Sequence, residues 1–464
     1  MKILIINPPI TGEERYGKFS GVGGYSPPLG LCYIGAVLEK AGHEVKLIDA
    51  IADELTLEQL KSHIISISPD MICATAMTLS AYKAFALFDA VKKIDKSIIT
   101  VLGGPHISAL PEETMERCKH IDYGVVGEGE ETIFELVDAL EKKKEIKYVK
   151  GLIYLESGKI TKTAARPLIK DLDSIPFPAR HLLRKLERYH PTPQTYRKLP
   201  VTTMITSRGC PYTCNFCDKS IFGVTPRLRS VDSVISEVEH LIAKYKIKEI
   251  TFEDDTFSAN KKRTLELCKR LEHYGITFTI ASRVNVLDKE VIHALKKAGC
   301  WQIAMGVESG NQRILDLIGK GITINQIKNA VTETEKAGIQ SKGFFMIGHP
   351  GETEQTINET INLATSIPLS QALFTLVTPY PSTPLFEQAK KYGTFRTTDW
   401  ADYGCWDAIF LPKGLSVKTL KKYHTLAYKK FYFRPSLAMR HLKYIKGLHD
   451  IKRYYLGAKA VLSL

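Results

Sequence analysis

The stretch Ser207-Arg208-Gly209-Cys210-Pro211-Tyr212-Thr213-Cys214-Asn215-Phe216-Cys217-Asp218 puts three thiols on one short loop at C-x3-C-x2-C spacing. Three soft ligands can hold an iron-sulfur cluster and leave one metal position open for the amino and carboxylate groups of a small molecule. Zinc or a chance cluster is the competing reading. Zinc takes a fourth protein ligand, whereas Cys32, Cys73, Cys118, Cys268, Cys300 and Cys405 are each isolated. Nine cysteines without a secretion-type leader point to a reducing compartment and to metal chemistry before disulfides.

Downstream of this loop, apolar runs near 249–254, 277–282, 302–307, 342–347 and 372–378 alternate with helix-period segments, and Val201 opens the series. Six strand-helix units predict an open (βα)6 barrel, with reactive groups on the loops after the strand C-termini. Upstream, strands are expected at 2–7, 43–49, 70–76, 97–103 and 121–127, separated by amphipathic helices such as Gly30 to Ala41. That alternation predicts a doubly wound, Rossmann-like parallel sheet. A hairpin turning at Ser157-Gly158 closes it. The expected divisions are 1–165 for this domain, 166–199 for a proline-rich linker, 200–392 for the barrel and 393–464 for a basic helical tail.

The net charge of +14 is concentrated in the tail. From Lys413 onward 13 Lys and Arg face the single acid Asp450, so the rest of the chain is close to neutral. Three basic amphipathic helices are expected there, broken at Pro435 and Gly447. Their charges are interleaved with Tyr423, Tyr428, Phe431, Tyr432, Phe433, Tyr444, Tyr454 and Tyr455, which leaves an anionic membrane surface, RNA stacking or plain packing as readings. Nucleic acid is the least favoured partner. No apolar run reaches membrane-spanning length, and a cytoplasmic location is expected, with peripheral contact at the inner membrane surface through the tail.

The cysteine loop resembles that of radical S-adenosylmethionine (SAM) enzymes, and the whole chain resembles the branch with an N-terminal cobalamin-binding domain. The resemblance implies that Cys210, Cys214 and Cys217 hold a 4Fe-4S cluster and that Phe216 packs by the SAM adenine. It implies further SAM contacts at Glu253, in the acidic run Glu253-Asp254-Asp255, at Ser282 and Arg283, at Glu308, and at Gly348 in Phe345-Met346-Ile347-Gly348-His349-Pro350-Gly351-Glu352. A solvated strand end or a surface salt bridge is the plain alternative for the charged members.

Two glycine-rich loops, Gly103-Gly104-Pro105-His106 and Gly127-Glu128-Gly129-Glu130, fit neither a dinucleotide fingerprint nor a phosphate loop. With Asn7-Pro8-Pro9 and Pro27-Pro28-Leu29-Gly30-Leu31 they resemble the cobalamin site of the same branch. No D-x-H-x-x-G motif occurs, so cobalamin is expected without a histidine ligand, His106 being more plausible as a loop residue than as a cobalt ligand. The implied activity is methylation of an unactivated carbon by a 5′-deoxyadenosyl radical and methylcobalamin, on a small-molecule, lipid or pigment substrate, with a flavodoxin- or ferredoxin-type reductant. A radical cyclase or rearrangement enzyme is the alternative. A transfer-RNA methylthiolase lacks its second cysteine cluster here, and a non-catalytic sensor would not need three ligand cysteines.

Overall fold

The computed structural model describes residues 1–442 and Tyr455. A seven-stranded sheet comes first: β1 (Lys2–Asn7), β2 (Glu44–Asp49), β3 (Met71–Thr75), β4 (Ile99–Gly103), β5 (Tyr123–Val125), β6 (Leu152–Glu156) and β7 (Lys159–Lys162). Their order is β2-β1-β3-β4-β5-β6-β7, parallel through β5 and antiparallel for the closing hairpin. Helices cover both faces. Ile3 and Ile5 pack with Leu31, Leu38 and Leu136, while Leu4 and Ile6 pack with Leu60, Leu87 and Phe88. A sheet buried on two faces requires unbroken apolar strands, which is why Ile-Leu-Ile-Ile stands in β1 without polar alternation.

The second sheet holds β8 (Val201–Met204), β11 (Glu249–Phe252), β12 (Thr277–Ser282), β13 (Cys300–Glu308), β14 (Gln340–Ile347) and β15 (Gln371–Leu376), all parallel and in the order β15-β14-β13-β12-β11-β8. It is the expected six-unit open barrel. A small antiparallel ribbon of β9 (Ser207–Arg208) and β10 (Arg227–Leu228) brackets the cysteine loop. The strip Gly393–Pro412 carries the pair β16 (Gly393–Phe395) and β17 (Phe410–Pro412). This strip lies across the N-terminal domain, where Trp400 stacks on Tyr82, receives Arg117 at 4.1 Å and meets His106 at 4.3 Å.

An open barrel leaves β15 with an unpaired edge, and such an edge must be covered. The helix Val417–Tyr432 does so. Tyr432 Oη accepts from Ala372 N and donates to Ala372 O, Tyr428 Oη does the same at Phe374, and His424 Nε2 sits 2.9 Å from Phe374 O. Tyr423, Tyr428, Phe431 and Tyr432 therefore pack on the barrel and are not a stacking surface. The lysines of this helix point outward. A second helix spans Pro435–Leu442, and the third expected helix lies outside the described residues.

Linker and barrel are tied by a buried triad. The Glu237 carboxylate, wholly buried, accepts from Arg180 Nη1 at 2.8 Å and from Arg229 Nη1, and Arg180 Nη2 donates to Thr203 O. Removing a buried charge partner strands the others without water. Glu237→Ala is expected to lower stability by about 3–5 kcal/mol, read as a shift in the urea midpoint, while a surface change such as Glu58→Ala leaves the midpoint in place.

Candidate active site

The loop after β8 owes its shape to Asp254. Its buried carboxylate accepts from Thr206 N, Thr206 Oγ1 and Ser207 N, all within 2.8 Å. Of the acidic run after β11, the middle member is thus spent on holding the loop. Gly209 follows at φ +87°, and a Cβ there would lie 2.5 Å from Thr225 O, so this turn demands glycine. Further along, Asn215 N donates to Ile318 O and Asn215 Nδ2 to Leu317 O, docking the loop on the segment after β13.

Two cations flank the thiols. Arg283 Nη1 lies 3.3 Å from Cys214 Sγ, and its guanidinium sits 3.7 Å above the Tyr212 ring. Lys320 pairs with Glu308 at 2.7 Å and stands 5.8 Å from the Phe216 ring. A hydrogen bond from Cys217, then the charges of Lys320 and Arg283, hold the Cys214 thiol down to about 6 against its burial. Cys217 shifts upward in return. Among the described residues no three His, Cys, Asp or Glu side chains converge to grip a single ion. A cubane cluster asks for something else, one thiolate on each of three separate irons, and its net negative charge suits the Arg283 and Lys320 surroundings.

Each residue implied by the resemblance can now be placed. Glu253 stands at the end of β11, open to the barrel lumen, its carboxyl pushed upward by the surrounding protein and by Asp254. Ser282 Oγ is buried 2.5 Å from Ser258 Oγ. Glu308 sits at φ +66° with its carboxylate turned to Lys320, and Gly306 has no room for a Cβ, which would fall 2.4 Å from Glu308 Oε1. Gly348 has φ +99° and its N donates to Glu352 Oε2. The ring of Phe216 lies 6.2 Å from that of His349, whose two ring nitrogens are buried and lack hydrogen-bond partners among the described residues. Burial pushes the His349 imidazole down to about 3. An unpartnered imidazole beside Phe216, a carboxylate at Glu308 and a guanidinium at Arg283 match the adenine, ribose and carboxylate of SAM in kind.

At the other sheet a cavity of about 300 Å³ opens over the strand C-termini, walled by Pro28, Tyr33, Thr75, Gly103, Gly104, Gly127, Gly129 and Ile133 and capped by Arg208 and Phe222 from the cysteine loop region. Gly104 is forced: at φ +94° a Cβ would come 2.3 Å from Thr75 Oγ1. A volume of this size is too small for a corrin ring and suits the nucleotide tail of cobalamin, whose aromatic base needs an apolar slot. Pro105 joins the wall.

Three residues of the expected cobalamin set take other roles. His106 turns away from the cavity, fully buried against Trp400 and Phe85, with Nδ1 near Thr78 Oγ1. Its ring therefore lies on the far side of the sheet loop, in the seam with the C-terminal strip. Glu128 and Glu130 reach the cavity rim, but their carboxylates are taken by arginines. Glu128 accepts from Arg208 at 2.8 Å, Arg227 at 2.6 Å and Ile169 N at 2.9 Å, and Glu130 accepts from Arg208 at 2.5 Å. Arg208, Arg227 and Lys320 had no assigned role in the sequence. Lys320 carried a signal, since Gly319 and Gly321 flank it and both take positive φ.

Residues 204–364 match the Radical SAM superfamily, and residues 20–137 match the B12 binding domain. A protein of Pyrococcus horikoshii, named as an uncharacterised methyltransferase, is 39% identical over 95% of this chain and 94% of its own. The chain belongs to the cobalamin-binding radical SAM enzymes. Within this family the anaerobic magnesium-protoporphyrin IX monomethyl ester cyclase of Cereibacter sphaeroides is 29% identical, covering 100% of this chain and 75% of that one. Two solved family members share the fold: the methyltransferase TsrM of Kitasatospora setae, at TM-score 0.72, 17% identity and 99% of each chain, and the radical enzyme OxsB, at TM-score 0.77 and 18% identity over 100% of this chain and 71% of that one.

A family member built this way should bind about four irons per chain, and replacing Cys210, Cys214 and Cys217 together by Ala should abolish the iron while the six buried or isolated cysteines sustain none. Gly103 offers a second test. Its backbone needs no positive φ, and an added Cβ meets only Val125 Cβ at 4.0 Å, so Gly103→Leu fills the cavity without straining the strand. Cobalamin affinity should fall about ten-fold or more, roughly 1.4 kcal/mol, with the urea midpoint kept. In the wild type the Co(II) resonance spectrum should lack nitrogen splitting, since a nucleotide tail held in this cavity would keep its base off cobalt and His106 turns away from it.

Proposed function

We propose that this enzyme methylates an unactivated carbon of a small organic substrate of pigment or lipid type. The observation that carries the reading is the shared wall: Arg208 caps the cavity over the first sheet and stands two residues before Cys210 of the cysteine loop. When bound, the cluster with SAM supplies a 5′-deoxyadenosyl radical and cobalamin supplies the methyl group. The protein's own part is positional. Asp254 fixes the entry to the cysteine loop, Arg208 and Arg227 lock that loop to the glycine-rich loop after β5, and Glu253, Glu308 and Arg283 stand where the polar ends of SAM would be held. Relatives support the class, since bacteriochlorophyllide d C-12(1)-methyltransferase of Chlorobaculum tepidum is 25% identical over 90% of this chain.

The identity with the Cereibacter cyclase favours a second reading, a radical ring closure or rearrangement. A one-electron reductant of flavodoxin or ferredoxin type is part of either reading. The outward lysines of Val417–Tyr432 and the exposed Phe433 and Met439 support contact with an anionic membrane surface, and no described helix is long and apolar enough to cross one. Coproducts separate the two reactions. A methylase forms 5′-deoxyadenosine and S-adenosylhomocysteine in equal amounts and adds one methyl mass to the product. Turnover yielding 5′-deoxyadenosine without S-adenosylhomocysteine selects the cyclase.

A further inference from the structure

The barrel lumen carries polar groups that none of the cofactor contacts uses. Along β14 Phe345 and Ile347 face the surrounding helices, so Gln340, Lys342, Phe344 and Met346 face inward by strand alternation. On β13 the inward set is Gln302, Ala304 and Gly306, with Gln302 opposite Gln340 and Ala304 opposite Lys342. Ala281 of β12 continues the Ala304 layer, and Glu253 falls level with it, one pleat beyond the Thr251–Thr279 pair. A carboxylate and an ammonium thus face each other across the lumen with two alanine methyls between them. No ion pair joins them.

Among the described residues Lys342 Nζ has no hydrogen-bond or salt-bridge partner, and the surrounding protein pushes its ammonium down to about 8 while Glu253 across the lumen acts the other way. Its nearest aromatic neighbour is the Phe344 ring at 5.2 Å. Below it the amides of Gln302 and Gln340 are 3% and 1% exposed, and Gln302 Nε2, Gln340 Nε2 and Gln340 Oε1 have no partner among the described residues. Buried amides and a desolvated ammonium without partners are costly unless a ligand completes them. Two amide donors and one cation at the base of a lumen with a small-residue wall make a receptor for a single anionic group.

We propose that Lys342, with the side-chain amides of Gln302 and Gln340 one pleat below it, seats a carboxylate or phosphate of the substrate in the lower part of the barrel lumen. The assignment rests on the reading of the barrel as the substrate chamber and narrows it to anionic substrates. Anchoring one charged end in the lower lumen leaves the rest of the molecule running toward the barrel mouth and the cysteine loop, where the reacting carbon must be. Glu253, level with Lys342 on the facing wall, holds that anion to the β13–β14 side of the lumen.

The test is reductive labelling of the reconstituted holoenzyme with pyridoxal 5′-phosphate or uncharged pyridoxal plus cyanoborohydride. Lys342 modification is read by peptide mass spectrometry and normalised to the exposed Lys421 in the same sample. Lys342 should react about ten-fold faster with the phosphate-bearing aldehyde, as expected for attraction into a focused positive site. Inorganic phosphate or succinate should slow it, whichever protects better naming the anion class, and saturating SAM should not. In Gln340→Leu the preference should narrow toward unity. Absence of labelling, equal rates for the two aldehydes, or protection by SAM alone would each overturn the assignment, the last by giving Lys342 to the SAM carboxylate. Because the signal is read on the residue and not on turnover, it is independent of the coproduct ratio that decides between methylase and cyclase.

Discussion

Arg208 joins the two halves of this enzyme. Its guanidinium lies between the rings of Tyr33 and Phe222, at 5.3 and 5.1 Å, and donates to both Glu128 and Glu130 of the opposite domain. Arg227 completes the lattice from the neighbouring ribbon strand. Buried ion pairs of this kind add little net stability over an apolar contact, but they fix register, because a shifted pairing would leave charges unpaired in a dry interface. Here the register being fixed is that of a methyl-carrier cavity against a metal-binding loop. The apolar core, continuous from the first sheet through Leu183, Leu186 and Tyr189 into the barrel, supplies the cohesion that the ion pairs direct.

The two cofactor regions follow opposite physical designs. At the cavity over the first sheet side chains are removed: Gly103, Gly104, Gly127 and Gly129 bare the backbone, and Gly104 cannot carry even one carbon more. Around the cysteine loop charge is gathered instead, with Arg283, Lys320, Glu308 and Asp254 all buried within one region. Such a region is tolerable because each charge has a partner, while His349 and Glu352 beside it keep spare hydrogen-bonding capacity.

Local features were legible in the sequence. All five parallel strands of the first sheet and all six of the barrel stand where the apolar runs put them, since strand patterning is written in consecutive residues. The cysteine spacing, Gly104 and Gly348 are local too. What escaped were partnerships across long separations: Arg208 with Glu128 over 80 residues, and Tyr428 with Phe374 over 54. For the tyrosines of the tail, packing stayed only one reading beside membrane and RNA contact because nothing in their own neighbourhood reveals that an unpaired strand edge needs covering. For the same reason Glu128 and Glu130, expected as cobalamin contacts, gave no sign that their carboxylates already had arginine partners.

The strip that carries Trp400 crosses from the last barrel strand back to the first domain and closes a loop in the chain's path. Arg208 clasps the domains at the cysteine loop, and Trp400, held between Arg117, Tyr82 and His106, clasps them again through the C-terminal strip. Two fastenings far apart in sequence restrain hinging more than one does, so traffic into and out of the chamber falls to the surface segments and the threshold for product egress becomes a property of loops.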